Sequence, residues 1–204
     1  SAPTTRFPRS SIPRGPAGAA HALNQKGFPL LKGRFSTGRR RADQGPLETM
    51  ETGLASCTGL SILLVDACRA AGVPARVAAI PSWPNKQGNH TWVEVWDGRW
   101  RFAGAAEPDP GGLDHAWFQH DASLAVAEST EHAIYASSFK RTGTRFPLVR
   151  ARDVDWVSAV NVTARYAKPS VADGKRSRLL VRVRDASSGK RTAAEVEVAA
   201  PGES

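Results

Sequence analysis

The chain has 204 residues, 41% of them apolar and 23% charged, which is the composition of a soluble globular protein large enough for one domain, or one domain plus a small appendage. No apolar run is long enough to span a bilayer, so a helical membrane span is not expected. The net charge of +9 suggests a nucleic-acid partner until it is located: nine of the 28 cations (Arg6, Arg9, Arg14, Lys26, Lys32, Arg34, Arg39, Arg40 and Arg41) lie in residues 1–41, where there is no acid, leaving 19 cations against 19 acids elsewhere. A basic arm on a neutral body reads as a solvated or packing segment, and nucleic-acid binding is not expected.

Residues 1–20 are rich in Pro, Ser, Gly, Ala and Arg and read as extended or disordered. From His21 to Phe35, the apolar residues Leu23, Phe28, Leu30, Leu31 and Phe35 suggest a short element packed on a core, and Ser36–Gly45 reads as a loop. Residues 1–42 together form a basic N-terminal arm. It has no initiator Met, which fits removal of a leader and an expected secreted or periplasmic location.

Pro46–Gly53 reads as a helical turn ended by glycine. In the segment Ser56–Pro74, residues Leu60, Leu63, Leu64, Ala67, Ala70 and Ala71 recur at helical spacing, Ser56 is a candidate N-cap, and Gly72 and Pro74 end the pattern. Cys57 therefore falls in the first turn, where unpaired N–H groups and the helix dipole favour negative charge, and is a candidate nucleophile. Cys68 lies too far along the same helix for a disulfide and reads as core.

Ala75–Ile80 reads as a buried strand. His90–Trp96, Asp97-Gly98 and Arg99–Ala103 form a hairpin signal with a two-residue turn. That turn sets Trp96 opposite Arg99, Val95 opposite Trp100, Glu94 opposite Arg101 and Val93 opposite Phe102, with the Glu94–Arg101 charges in support. On this register Glu107 lies two residues beyond the position opposite His90, on the same face, at a diagonal distance of about 7–8 Å that a long side chain can span.

The run ETGLASCTGLSILLVDACRAAGVPARV, followed by NHTWVEVWDGRWRF and then an acid, resembles the transglutaminase-like branch of the papain-like cysteine enzymes over residues 43–120. The features that carry it are a Cys opening a helix, a Gly-Val-Pro-Ala-Arg exit into a strand, and a His heading a Trp-Val-Glu-Val strand. The family's aspartate position is occupied here by Gly104-Ala105. The nearest acids are Glu107 and Asp109, of which the register favours Glu107.

The resemblance implies an α+β fold: a papain-like/transglutaminase-like core over residues 43–152, with the Cys helix packed on an antiparallel sheet. After it, alternating runs at Val160–Ala164, Leu179–Arg184 and Ala194–Val198 read as a partial β-sandwich tail over residues 153–204. It also implies a Cys57–His90–Glu107 triad acting on a peptide or protein substrate through a thiolate–imidazolium pair and a thioester, without a cofactor. The backbone N–H of Cys57 would serve as oxyanion donor. Trp92, beside His90 on that strand, is a candidate wall of the substrate groove or a core residue. His115, His120 and His132, with Asp114 and Asp121, match no common zinc spacing, so no metal is expected. The alternative function is a non-catalytic scaffold or a protein- or carbohydrate-binding module on the same fold.

Overall fold

The computed structural model describes residues 15–150 and 154–167. Its first element is helix α1 (Gly15–Leu31), which buries Ala20, Asn24 and Phe28, a stripe with one residue per turn. The helix stops where Lys32 turns left-handed (φ 53°) and the Gly33 N–H bonds the Phe28 carbonyl at 2.9 Å. Residues 15–20 are thus helical rather than extended, and the basic arm supplies a wall of the core. Strand β1 (Arg34–Phe35) pairs in parallel with β2 (Leu54–Ala55), and helix α2 (Pro46–Thr52) lies between them in the chain. α2 ends at Gly53, whose φ of 66° is left-handed and whose N–H bonds the Thr49 carbonyl.

Helix α3 (Cys57–Ala70) follows directly. Its Leu60, Leu63, Leu64, Val65 and Cys68 are buried together with Val93, Val95 and Ala75, each leucine and valine among them contributing about 1.5–3 kcal/mol. They pack on a five-stranded sheet made of β3 (Ala75–Ile80), β4 (His90–Trp96), β5 (Trp100–Ala103), β6 (Tyr135–Ser138) and β7 (Ser158–Asn161). The order is β5-β4-β3-β6-β7 and every pairing is antiparallel. The short helix α4 (Gln119–Ser123) precedes β6. A second cluster (Trp92, Phe118, Ile80, Ile134 and Val162) packs away from α3. Covered on both faces, β4 is buried at every residue except Trp96.

Two expectations change. The hairpin pairs Trp96 with Trp100, Val95 with Arg101, Glu94 with Phe102 and Val93 with Ala103, one residue away from the expected register. The turn is three residues long: Asp97 N–H bonds the Arg99 carbonyl at 2.9 Å around a left-handed Gly98 (φ 73°), a geometry that Asp-Gly permits as readily as a two-residue turn. Glu94 and Arg101 are therefore not cross-strand partners. Glu94 is instead buried beneath Arg76, Arg165 and Tyr166. The strand expected at Val160–Ala164 starts earlier, at Ser158. It closes the core's own sheet and gives way to a 3₁₀ turn at Thr163–Arg165. The other strands of the expected tail lie outside the described residues. Among the described residues no helix is long and apolar enough to cross a membrane.

Candidate active site

Cys57 is the first residue of α3 and is partly exposed. Ser56 is extended (φ −76°, ψ 173°) and its hydroxyl accepts from the Gly59 N–H at 3.2 Å, while also donating to the Ala42 carbonyl. The N–H groups of Cys57 and Thr58 have no partner among the described hydrogen bonds. A Cβ at Gly59 would lie 3.0 Å from the Ala55 Cβ, so glycine lets the first turn close onto β2. Thr58 and Thr91 join hydroxyl to hydroxyl at 2.9 Å, and the Ser61 hydroxyl donates to the Thr91 carbonyl at 3.2 Å. These bonds tie the residue after Cys57 to the residue after His90. Cys68 is fully buried, and burial pushes its thiol up to about 11, which makes it inert.

His90 opens β4 and is 6% exposed. Because Thr91 faces α3, His90 faces the opposite way, among Trp83, Trp92, Trp117 and Phe118, with ring centroids 6.3, 6.0, 4.9 and 4.8 Å away. Burial among these rings, with Lys86 adding a smaller push, lowers the imidazole from 6.5 to about 4. Its Nε2 is buried and has no hydrogen-bond partner.

This has a measurable consequence. The unfolded chain takes up a proton near pH 6.5 that the folded chain refuses until about pH 4, so the contribution to stability is complete above pH 6.5 and is lost as pH falls through that window. Between pH 7 and pH 4 the loss from His90 alone is about 3 kcal/mol. Urea unfolding at the two pH values should show a drop larger by that amount in the wild type than in His90→Gln.

Beyond β5 the chain turns at Gly104, and Ala106 takes a left-handed conformation (φ 62°). Asn24 of α1 holds this turn from both sides: its Nδ2 donates to the Gly104 carbonyl at 2.7 Å and its Oδ1 accepts from the Ala106 N–H at 2.8 Å. Glu107 follows, and its Oε2 accepts from Trp117 Nε1 at 2.8 Å. A Cβ on Gly104 would lie 2.6 Å from that same Oε2, so the carboxylate fills the space into which a side chain at position 104 would project. Although residue 107 as a whole is exposed, local desolvation holds its carboxyl above the ordinary range, partly offset by the Trp117 bond. Asp109 instead accepts from the Gly111 N–H at 2.7 Å, within its own turn.

Trp117 thus touches both the His90 ring and the Glu107 carboxylate. No hydrogen bond or ion pair joins Cys57, His90 and Glu107 to one another among the described residues. Trp92 is fully buried, with Nε1 donating to the Tyr166 hydroxyl at 2.8 Å and its ring 4.8 Å from Phe118. It packs in the core, its side of β4 covered by Phe118 and Tyr166. Asn24 and Trp83 escaped the sequence reading, and Trp117 entered it only as one apolar residue of the Leu113–Tyr135 stretch expected to close over the site. The signal that could have found Asn24 is its place between Ala20 and Phe28 at four-residue spacing. No cluster of three or more metal-ligating side chains occurs among the described residues.

The family model of the transglutaminase-like superfamily matches residues 14–121, more than half of the chain. No curated protein matches. Among solved structures, a Cytophaga hutchinsonii protein described as a putative cysteine protease aligns at 17% identity with a TM-score of 0.34, over 55% of this chain and 48% of that one. This chain spans about half the length of that protein.

Proposed function

Because this chain belongs to the transglutaminase-like superfamily, we propose that it is a thiol enzyme acting on peptide or glutamine amides, with Cys57 as nucleophile, His90 as base and Glu107 as the supporting acid. The observation that carries this reading is the unpartnered Nε2 of a buried histidine, one residue from the Thr91–Thr58 bond at the base of the cysteine helix. A buried polar atom without a partner costs about 1–3 kcal/mol and calls for a reason. A proton-accepting role supplies one. The overlap of the Glu107 carboxylate with the side-chain space of Gly104 supports the second part of the reading. In the family pattern an aspartate stands at this place, and here a carboxylate comes to it from Glu107.

In this reaction the His90 ring, which rests on the face of β4 away from α3, turns to the cysteine and accepts the Cys57 proton as the sulfur attacks the amide carbonyl. The C–S bond forms, the C–N bond breaks, and the imidazolium returns the proton to the departing amine. Burial keeps the resting imidazole neutral. A preformed thiolate–imidazolium pair is thereby replaced by proton transfer during attack. The free N–H groups of Cys57 and Thr58 are suited to the oxyanion. Water or an amine then resolves the thioester, and we favour water.

Alkylation by iodoacetamide tests the reading. Cys57 should react preferentially over Cys68 at pH 6, its rate should fall only as pH drops through about 4, where His90 takes up a proton, and His90→Ala should slow it at pH 6 by about tenfold or more. The aromatic enclosure of His90 and the lack of a bond to Cys57 favour a second reading, a non-catalytic scaffold. Alkylation at an ordinary thiol rate, indifferent to His90, would establish it.

A further inference from the structure

A cleft of about 390 Å³ opens between the C-terminal half of α1, strand β1 and the turn that carries Glu107. Its apolar lining includes Phe28, Phe35 and Leu60, the last about one helical turn along α3 from Cys57. Lys32 and Arg34 also line it, and neither has a carboxylate partner among the described residues, whereas Arg41 of the same arm is paired with Glu48. Glu107 also lines it, beside Ala106, whose N–H is held by Asn24 eight residues, about 12 Å along the helix, before Lys32. The cleft is therefore electrostatically polarised, with two uncommitted cations at one end, a carboxylate at the other and an apolar floor between them.

We propose that this cleft binds an acidic side chain of the peptide substrate, with its carboxylate on Lys32 and Arg34. The proposal rests on the catalytic reading above and names the substrate class of that same site. Three features argue for it. The Arg34 guanidinium can take a carboxylate through paired, charge-assisted hydrogen bonds, and Lys32 adds a second positive charge. The apolar floor suits the methylene stem of a glutamate. Glu107 repels an anion from its own end, which fixes the direction in which the substrate lies and keeps the negative charge away from the carboxylate proposed to support His90. The volume suits a short peptide segment rather than a folded partner.

The test uses Cys57→Ser protein, so that binding is read without turnover, and two dansylated pentapeptides that differ only in Glu against Gln at one position. Fluorescence anisotropy at low salt should give a Kd at least about tenfold lower for the Glu peptide, equivalent to about 1.4 kcal/mol. High salt, or the double variant Lys32→Gln/Arg34→Gln, should shrink that gap to less than about threefold. Arg34→Gln alone should remove part of it. Both side chains are exposed, so these variants should keep the wild-type circular dichroism. Equal affinity for the two peptides, no binding of either, or a gap that survives in the double variant overturns the proposal. Failure of the catalytic reading is seen separately, in the alkylation of the native Cys57 thiol.

Discussion

Glu94→Ala should lower the unfolding free energy by about 3–5 kcal/mol, the largest single-residue loss expected in the fold. Glu94 is 1% exposed on the central strand β4. Arg76 approaches one of its oxygens with Nε at 2.7 Å and Nη2 at 2.6 Å, Arg165 reaches both oxygens at 3.2 Å, and the Tyr166 hydroxyl donates at 2.9 Å. Arg76 also stacks 3.8 Å from the centre of the Trp100 ring. Burial pulls the Arg76 guanidinium down from its usual range, and Glu94 is the main force opposing that shift. Alanine would leave the guanidinium in a poorly solvated place with its charge unanswered, and would remove the acceptor that orients Tyr166 against Trp92. Glu94→Gln keeps the shape and part of the hydrogen bonding, so it should cost roughly half as much. Urea midpoints at unchanged slope report both values, and a loss below about 1 kcal/mol for Glu94→Ala would contradict this account.

The second large effect is kinetic. On an activated peptide ester, Cys57→Ser and His90→Ala should each reduce kcat/KM by about a thousandfold, and Glu107→Gln by about ten- to a hundredfold. Gly104→Ala should resemble Glu107→Gln. Its new methyl would lie 2.6 Å from Glu107 Oε2 and 3.2 Å from Glu107 Cβ, so the flexible carboxylate end swings away and the turn gives by a few tenths of an ångström. A carboxylate so displaced would no longer meet Trp117. Normal melting with lowered turnover in Gly104→Ala is the expected signature, whereas unchanged turnover would separate Glu107 from the chemistry.

The parts of this fold that were legible in the sequence are those with strong local periodicity. Helix α3 shows its apolar face, its serine cap and its glycine stop, and β3 and β4 show uninterrupted β-forming runs bounded by prolines and turns. The hairpin register was not legible, because Asp97-Gly98 serves a two-residue and a three-residue turn equally well. A slip of one residue exchanges the faces of β5. The register argument for Glu107 therefore falls, while the residue itself lies beside His90's neighbour Trp117 for a different reason, the reversal at Gly104–Ala106. Helix α1 was obscured by its Gly, Ala and Pro content and by having Asn24 in the middle of its buried stripe. Trp117 was not singled out from its stretch, since its partners Glu107 and His90 lie ten and 27 residues earlier, separations that no helix or strand period links.

The amide of Asn24 spans a separation of 80 residues to reach Gly104. The position of the Glu107 carboxylate is thus set partly in the first helix, and a change in either stretch is expected to be felt in the other. Loss of the amide would favour a compensating change at the turn, and an acid placed at position 104 would free Glu107 to vary. Because Asn24 holds both ends of the turn that sets the Glu107 carboxylate against Gly104, relatives of this chain should exchange positions 24, 104 and 107 in concert.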